Sequence, residues 1–365
     1  MRVLHLPVNI ASQMSVTVRA LREIGVEARG LAIGGHVRQS DTGVASYPTF
    51  AFRRHPLRRM AATARWWTAV VRAIRWADVI HWHFGCHALR WDLDLRLAQR
   101  LGKPGLVEFW GSDIRDPEIA RQGNPYYARA ESQWGDPPYE SRKRSWQNQQ
   151  RFGQRGFACL TPCPELAPYL RGDLFPEPIR TRSRVALAEY EPQYASARSP
   201  RPLVVHAPTA PLMKGTPAVL AAIEALKSRF DFEFRLLGNL PRHEALACLR
   251  NCDVLLDQFV VGDHGLISVE SMALGKPVVC YLLPSVVAAL PPECPIVNAN
   301  QDNLAEVLAG LLSDGPRREQ LGRQGRAYVE QYHDAHKIAR QLCGVYERLI
   351  AAKGRAGCRQ PRVTA

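Results

Sequence analysis

The first half of the chain alternates continuous apolar runs with longer amphipathic stretches. The apolar runs read "RVLHLPV" from Arg2, "ADVIHWHFG" from Ala77 and "KPGLVEFWG" from Lys103, and each predicts a parallel strand buried on both faces. Between them, "SQMSVTVRALREIG" from Ser12 and "PLRRMAATARWWTAVVRAIRW" from Pro56 place apolar residues at helical spacing. This alternation predicts a doubly wound parallel sheet.

A polar, proline-containing stretch, "RTRSRVALAEYEPQYASARSPRP", interrupts the alternation near the middle of the chain. The apolar runs then restart with "PLVVHAP", "FEFRLLG", "CDVLLDQF" and "KPVVCYL", which predict a second parallel sheet. We therefore expect an α/β protein with two doubly wound, Rossmann-like domains, 1–185 and 186–330, facing each other across a cleft. Residues 331–365 are predicted to form a C-terminal helix that packs back toward the first domain, followed by a disordered tail from Lys353.

Composition and charge indicate a globular protein with an anionic partner. Hydrophobic residues make up 46% of the chain and charged residues 22%, as in globular proteins with a substantial core. No apolar run approaches the roughly 20 residues that cross a bilayer, and no secretory signal pattern is present, so we expect a cytoplasmic protein. The net charge is +14, and the first 200 residues hold 29 basic and 18 acidic side chains. This excess favours an anionic partner.

The stretch "GDHGLISVESMALGKPVV" predicts an anion site at the carboxyl end of a strand. A glycine-flanked loop leads from "CDVLLDQF" into a helix that begins near Leu266, so the first amides of that helix are unpaired. Glu270 lies about one turn further along the same helix. Lys214 follows another predicted strand, in the loop before a helix with Pro217 at its first position. A lysine facing a helix N-terminus at one edge of a sheet suits a diphosphate.

These residues resemble the donor domain of glycosyltransferase family 4, whose members are retaining, nucleotide-sugar-dependent enzymes of the GT-B fold. The resemblance is specific from Lys214 to Val279 and looser in "DVIHWHFG" and "FWGSDIR" of the first half. It implies that Lys214 and Glu270 are the catalytic-site residues, with Lys214 on the donor diphosphate and Glu270 on the ribose. It also implies that the amides of Gly265, Leu266 and Ile267 face the diphosphate, and that no metal or other cofactor is needed.

In its second half, the chain departs from the family pattern at two places. Gly262 stands where the family has the first glutamate of its E-x7-E pattern, and Asp263 and His264 follow as candidate donor contacts. Pro208 and Thr209 stand where the family has an arginine before the lysine. The predicted function is sugar transfer from a nucleoside diphosphate sugar to a glycan, lipid-linked or other small acceptor, with retention. A non-catalytic nucleotide-sugar binding module and a GT-B-type sugar-nucleotide epimerase remain alternatives.

Four residues of the first half are candidates for the acceptor or sugar side of the cleft. Asn9 lies in the loop after the first strand, His83 lies at the end of "ADVIHWH", and Asp113 and Arg115 follow "FWG". For Asp113 and Arg115 a structural capping role is an equal alternative, and for His83 a packed structural role is the main one.

Two patterns that could bind a metal are interpreted otherwise. His81 and His83 share one face of a strand, with His87 nearby, but no neighbouring cysteine or carboxylate completes a ligand set in the sequence. Asp92 and Asp94 form a DxD pattern inside a helical stretch, where we expect a solvated helix face.

Residues 53–76 are a candidate surface for an anionic membrane. This stretch contains seven arginines and no acidic residue. As a helix, it places an apolar stripe that includes Leu57, Met60 and Trp67 on one face, and Trp66 and Trp76 beside the arginines. The arginines could contact anionic lipid on the inner face of the membrane and bring the cleft to a lipid-linked acceptor; an ordinary domain helix is the alternative. No nucleic-acid-binding module is recognisable.

Overall fold

The computed structural model describes residues 1–34, 43–47, 55–131, 140–194, 199–238 and 240–358, with side chains described as far as residue 355. Within them, two parallel sheets follow each other along the chain. This arrangement confirms the predicted α/β fold class.

The first sheet has seven parallel strands. They are β1 (Arg2–Leu6), β2 (Glu27–Ile33), β3 (Val44–Tyr47), β4 (Val79–His83), β5 (Gly105–Glu108), β6 (Ala158–Thr161) and β7 (Ile179–Arg180). Their order in the sheet is β3-β2-β1-β4-β5-β6-β7, so the chain turns back between β1 and β4. In doubly wound sheets, ligands bind in the crevice beyond the carboxyl ends of the strands at such a switch point.

Among the described residues up to 153, six α-helices accompany this sheet. They are α1 (Gln13–Glu23), α2 (Pro56–Trp76), α3 (Leu93–Arg100), α4 (Pro117–Gly123), α5 (Pro125–Glu131) and α6 (Arg142–Gly153). All five residues of β4 are buried because helices cover both faces of the sheet. Trp66, Val70 and Ile74 of α2 belong to one core cluster, and Met14 and Leu21 of α1 belong to the cluster on the other face.

The second sheet has five parallel strands. They are β8 (Leu203–His206), β9 (Glu233–Leu236), β10 (Val254–Leu256), β11 (Val278–Cys280) and β12 (Val297–Asn298), in the order β12-β11-β10-β8-β9. Its helices are α7 (Pro211–Lys214), α8 (Thr216–Leu226), α9 (Arg242–Asn251), α10 (Leu266–Ala273), α11 (Pro284–Ala289), α12 (Leu304–Ser313) and α13 (Gly315–Tyr332). The switch point lies between β8 and β10, so the loops after these two strands meet at one place.

The last helix, α14 (Ala335–Cys358), returns to the first sheet. Its residues Ile338, Leu342 and Tyr346 are buried in the same core cluster as α1. The predicted disordered tail is therefore wrong for Lys353–Cys358, which continue this helix; residues 359–365 lie outside the described residues.

The two sheets also contact each other directly. The Asn124 side chain donates hydrogen bonds to the carbonyl oxygens of Val260 (2.7 Å) and Val261 (3.1 Å), and the Tyr126 hydroxyl donates to Asp302 (2.8 Å). The loop after β10 is thus held against the helices of the first sheet.

Three sequence expectations about side-chain environment are wrong. Asp94 is fully buried and accepts hydrogen bonds from the Trp82 indole and from the amides of Ala88 and Leu89, so it is not on a solvated face. Trp66 is buried in the core, away from the basic face. Leu57 and Met60, expected on the inward stripe of α2, are 79% and 68% exposed, because the core side chains of α2 begin only at Trp66.

Among the described residues, none of the helices is both long and apolar enough to span a bilayer.

Candidate functional site

A cavity of about 440 Å³ lies where the two switch points face each other. Its walls come from the loop after β1, the loops after β8 and β9, the end of α7, one face of α9 and the first two turns of α10. The lining residues are Ile10, Ala11, Ser12, Ala207, Pro208, Thr209, Lys214, Leu237, Gly238, Leu240, Arg242, Ala245, Leu246, Leu249, Leu266, Ile267 and Glu270. The structure thus brings together four of the predicted site residues, namely Lys214, Leu266, Ile267 and Glu270.

A buried carboxylate, that of Asp257, links Lys214 to the N-terminus of α10. Its ammonium group donates to Asp257 Oδ1 (3.1 Å) and Gln258 Oε1 (2.6 Å), just beyond β10. Burial alone would raise the pKa of Asp257, but the Lys214 charge and the hydrogen bonds from Ser268 and Gly265 lower it below its ordinary value. Asp257 therefore stays ionised and fixes Lys214 at the cavity.

The amide of Gly265 is already used within the protein. It donates to Asp257 Oδ2 (2.5 Å), which also accepts from the Ser268 hydroxyl (2.7 Å). The amides that remain for a ligand are those of Leu266 and Ile267, which begin α10 and have no carbonyl four residues back inside the helix. Both residues line the cavity, so this end of α10 faces it with a positive dipole.

Glu270 lies on the same wall, one turn deeper into α10. Its Oε1 accepts hydrogen bonds from the Tyr190 hydroxyl (2.7 Å) and from Arg242 Nη1 (2.5 Å). Arg242 Nη2 also donates to the Tyr190 oxygen (2.6 Å), which closes a three-membered network. Burial alone would lower the pKa of Arg242, but the adjacent Glu270 carboxylate and Tyr190 hydroxyl raise it above its ordinary value, so the guanidinium is charged.

The loop before α10 explains the departure at Gly262. Its φ is +88°, and a Cβ there would lie 2.5 Å from Leu283 Cγ, so a glutamate cannot occupy this position in this conformation. Asp263 is buried, accepts from the backbone amide of Glu165 (3.3 Å) and contacts the His264 ring (2.8 Å). Neither Asp263 nor His264 lines the cavity.

The first-domain candidates Asp113 and Arg115 lie inside the protein. Asp113 is 1% exposed and accepts from the amides of Trp110 (3.0 Å) and Gly111 (2.7 Å); burial nevertheless raises its pKa to about 6. Arg115 is buried between the carboxylates of Glu140 and Glu165. The structure does not bring either residue to the cavity lining.

Asn9 is buried at the turn that leads into the cavity loop, where its side chain accepts from the Ser15 amide (3.1 Å). The next residues bend sharply: Ala11 and Ser12 have φ angles of 46° and 62°. These left-handed conformations normally favour glycine, and they turn residues 10–12 toward the cavity.

His83 belongs to a buried network of histidines. The rings of His81 and His83 stack at 4.3 Å, and His5 Nδ1 lies 2.9 Å from His83 Nε2, because His5 pairs with His81 between β1 and β4. Glu108 Oε2 lies 3.3 Å from His81 Nε2 and 3.2 Å from His83 Nδ1. Burial lowers the pKa of all three histidines, so they are neutral.

The ring nitrogens of these three histidines lie within 4.8 Å of one another and are the described set that could ligate a metal ion. The guanidinium of Arg184 binds Glu108 with two hydrogen bonds (2.7 and 2.6 Å), however, and already neutralises that carboxylate. A divalent cation would add charge beside a buried arginine, so this network fits a structural role better than a metal site.

Comparisons with known proteins agree on the architecture. No family model and no curated protein sequence matches the chain. Solved structures match along its length: sucrose-phosphate synthase from Thermosynechococcus elongatus has a TM-score of 0.64 at 15% identity, covering 96% of this chain and all of the other. An α-glucosyltransferase in complex with UDP-glucose and DNA has a TM-score of 0.61 at 9% identity, covering 95% and 99%. Trehalose-6-phosphate synthase has a TM-score of 0.56 at 12% identity, and the match covers 95% of this chain and 99% of the other. The fold is GT-B.

In this GT-B protein, three residues at the cavity were missed by the sequence analysis. Asp257 is the second-to-last residue of the "CDVLLDQ" stretch and could have been found as the buried acid next to the predicted anion site. Arg242 and Tyr190 gave no signal, because their partner Glu270 is 28 and 80 positions away. The assembled GT-B cavity therefore offers a cation and two helix amides and, one turn further along α10, a carboxylate paired with an arginine.

Proposed function

We propose that this protein is a glycosyltransferase that moves a sugar from a nucleoside diphosphate sugar to a glycan, lipid-linked or other small acceptor, with retention of anomeric configuration. The observation that carries the proposal is the cavity at the two switch points, where Lys214, the first amides of α10 and Glu270 converge. The α-glucosyltransferase neighbour binds UDP-glucose, and transfer by trehalose-6-phosphate synthase proceeds with retention. The first neighbour supports this choice of donor, and the second supports this choice of stereochemistry.

The donor diphosphate would bind at the N-terminus of α10. Two amides, from Leu266 and Ile267, would donate to its oxygens, and Lys214 would meet the negative charge that grows on the leaving diphosphate. Asp257 would act as a positioning residue, because it holds the lysine ammonium beside these amides. Glu270 would accept hydrogen bonds from the ribose hydroxyls, one turn away along the helix.

Product analysis tests the proposal against its alternatives. The purified protein is incubated with a panel of radiolabelled nucleoside diphosphate sugars and candidate acceptors. Transfer of the labelled sugar with the anomeric configuration of the donor supports the proposal. An altered, untransferred donor would identify an epimerase, and tight binding without any product would identify a binding module; either result would contradict it.

We also propose that catalysis needs no metal ion. Lys214 and the helix amides provide the charge stabilisation that a metal would otherwise supply. The DxD carboxylates serve the fold: Asp94 holds the turn before α3, and Asp92 pairs with Arg151 (2.9 Å) and Arg155 (3.2 Å). Activity that is lost with EDTA and restored by magnesium or manganese would contradict this.

A cytoplasmic enzyme that associates peripherally with the inner face of a membrane is proposed from α2. The first turns of this helix expose Leu57 and Met60 beside Arg58, Arg59 and Arg65, and α2 contains no acidic residue. Apolar side chains flanked by arginines fit the boundary of an anionic lipid layer. Such contact would bring the cleft close to a lipid-linked acceptor.

A further inference from the structure

The cavity contains two cations, and each is already paired inside the protein. Lys214 is balanced by Asp257, and Arg242 is balanced by Glu270. The loop after β8 adds no charge, since Pro208 and Thr209 line the cavity there. A nucleoside diphosphate sugar brings one negative charge on each of its two phosphates. Because the charge of Lys214 is already balanced by Asp257, this lysine adds little net positive charge to neutralise the two phosphates.

Arg242 is placed to supply the missing charge. It is the first residue of α9 and its guanidinium is about one-fifth exposed, at the wall of the cavity. Its bonds to Glu270 and Tyr190 use one hydrogen on each terminal nitrogen, and a guanidinium has five N–H donors. It can therefore bind a further oxygen without losing all of its present contacts.

The distances within α10 bring the diphosphate within reach of Arg242. Leu266 and Ile267 form the first turn of α10, and Glu270 lies on the next turn, about 5.4 Å further along the axis. A guanidinium that already touches Glu270 is thus about one helical turn from an anion on the first amides. A planar guanidinium is also well suited to phosphate oxygens.

We propose that Arg242 is a donor-binding residue that exchanges partners. Without donor, it neutralises Glu270; when the donor binds, it turns to the diphosphate, and Glu270 Oε1 becomes available to the ribose. The exchange couples recognition of the phosphates to recognition of the ribose, so that a nucleoside alone gains little from Arg242. This inference rests on the proposed function, because it assumes a nucleoside diphosphate in this cavity.

Isothermal titration calorimetry with matched ligands tests this exchange. The ligands are UDP and uridine, GDP and guanosine, and ADP and adenosine, and the proteins are the wild type, Arg242→Ala, Arg242→Lys and Arg250→Ala. Arg250 lies on the exposed side of the same helix and serves as the control. For the base that binds, Arg242→Ala is expected to weaken diphosphate binding about tenfold or more and nucleoside binding less than about threefold. Arg242→Lys should fall between, and Arg250→Ala should match the wild type.

Two results would overturn the inference while leaving the proposed function intact. Equal losses of affinity for nucleoside and diphosphate would mean that Arg242 only holds Glu270 in position. Wild-type affinity for both ligands would mean that Arg242 has no part in binding. If the wild type binds none of the six ligands, the proposed function fails and the inference fails with it. Should Arg242→Ala lower the unfolding midpoint, Arg242→Gln, which keeps the side-chain volume closer to that of arginine, repeats the comparison.

Discussion

The two sides of the cleft use charged residues in opposite ways. On the first-sheet side, Glu108, Asp113 and Arg115 are almost completely buried, and each is satisfied by partners from the protein itself. On the second-sheet side, Lys214 and Arg242 keep about one-fifth of their side chains exposed and line a cavity. Charged residues at the carboxyl ends of the first-sheet strands therefore serve the fold, whereas these two cations of the second half line a cavity.

This difference has an energetic basis. A buried ion is tolerated only when its desolvation is offset by close partners, so removal of one partner costs several kcal/mol. A partly exposed cation in a cavity keeps some hydration and exchanges water for ligand at a smaller cost. Substitutions on the first-sheet side should mainly change stability, and those on the second-sheet side should mainly change binding.

The largest effect is expected for Glu108→Gln. This substitution leaves the guanidinium of Arg184, which is 1% exposed, without its buried counter-charge. We expect a loss of about 3–5 kcal/mol in the free energy of unfolding, measured by urea denaturation. Glu224→Gln, which breaks an exposed pair with Lys227, is the control and should change stability little. A loss below about 1 kcal/mol for Glu108→Gln would remove the contrast between the two sides.

The second effect concerns the pH dependence of stability through Asp113. Its pKa in the folded protein is raised to about 6 by burial, from an ordinary value of 3.8. Between these values the folded state binds more protons than the unfolded state, so this residue makes stability fall as the pH rises. Between pH 4.5 and pH 6.5 its contribution should fall by about 2 kcal/mol.

Asp113→Asn isolates that contribution. The buried histidines have lowered pKa values and act in the opposite direction, because they make stability rise with pH over the same range. The quantity to compare is therefore the difference between wild type and variant in urea unfolding at pH 4.5, 5.5 and 6.5. A difference that stays constant over this range would show that Asp113 is ionised throughout.

The third effect concerns the donor side. Lys214→Ala and Glu270→Gln should each lower donor affinity or kcat/KM about tenfold or more, since a hydrogen bond to a charged group contributes about 1.5–3 kcal/mol. Their unfolding midpoints should stay close to that of the wild type. Lys227→Ala, at an exposed position just after α8, and Glu244→Gln, at an exposed position on α9, are matched controls. Wild-type affinity and rate in both cavity variants would contradict the assignment of Lys214 and Glu270 to donor binding.

The smallest effect is expected at α2. The double substitution Leu57→Gln and Met60→Gln should reduce co-sedimentation with phosphatidylserine-containing vesicles, without changing thermal stability or activity toward a water-soluble acceptor. Leu220→Gln, at a 44% exposed position on α8, is the control. Binding of the wild type should weaken with salt because of the arginines. Equal binding of the wild type to neutral and anionic vesicles would contradict a membrane role for this surface.

The elements and the positions of Lys214 and Glu270 in the fold were predictable because their signals are local. Lys214 and Glu270 each follow a buried strand and lie close to a helix N-terminus, and parallel strands bring such positions to one edge of a sheet. The helix over 56–76 was also predictable from its spacing, and the structure has it at Pro56–Trp76. Its exposed first turns were not, because they depend on where the packing of α2 against the core begins.

The residues that escaped prediction depend on contacts between distant segments. The role of Glu108 depends on the register between β4 and β5. It also depends on the position of Arg184, which lies 76 residues later in the chain. Asp94 was misplaced because Trp91 and Asp92 adopt left-handed conformations and start α3 later than the apolar pattern suggests. Arg242 meets Glu270 only after α9 and α10 are packed around the same cavity.

The most direct test of the account is a crystal structure with a bound nucleoside diphosphate. We expect the diphosphate within hydrogen-bonding distance of Lys214 Nζ and of the amides of Leu266 and Ile267, and the ribose hydroxyls at Glu270. His83, Asp113 and Arg115 should keep their present partners. A diphosphate bound instead against Asp113 and Arg115, with the cavity at α10 empty, would contradict the account.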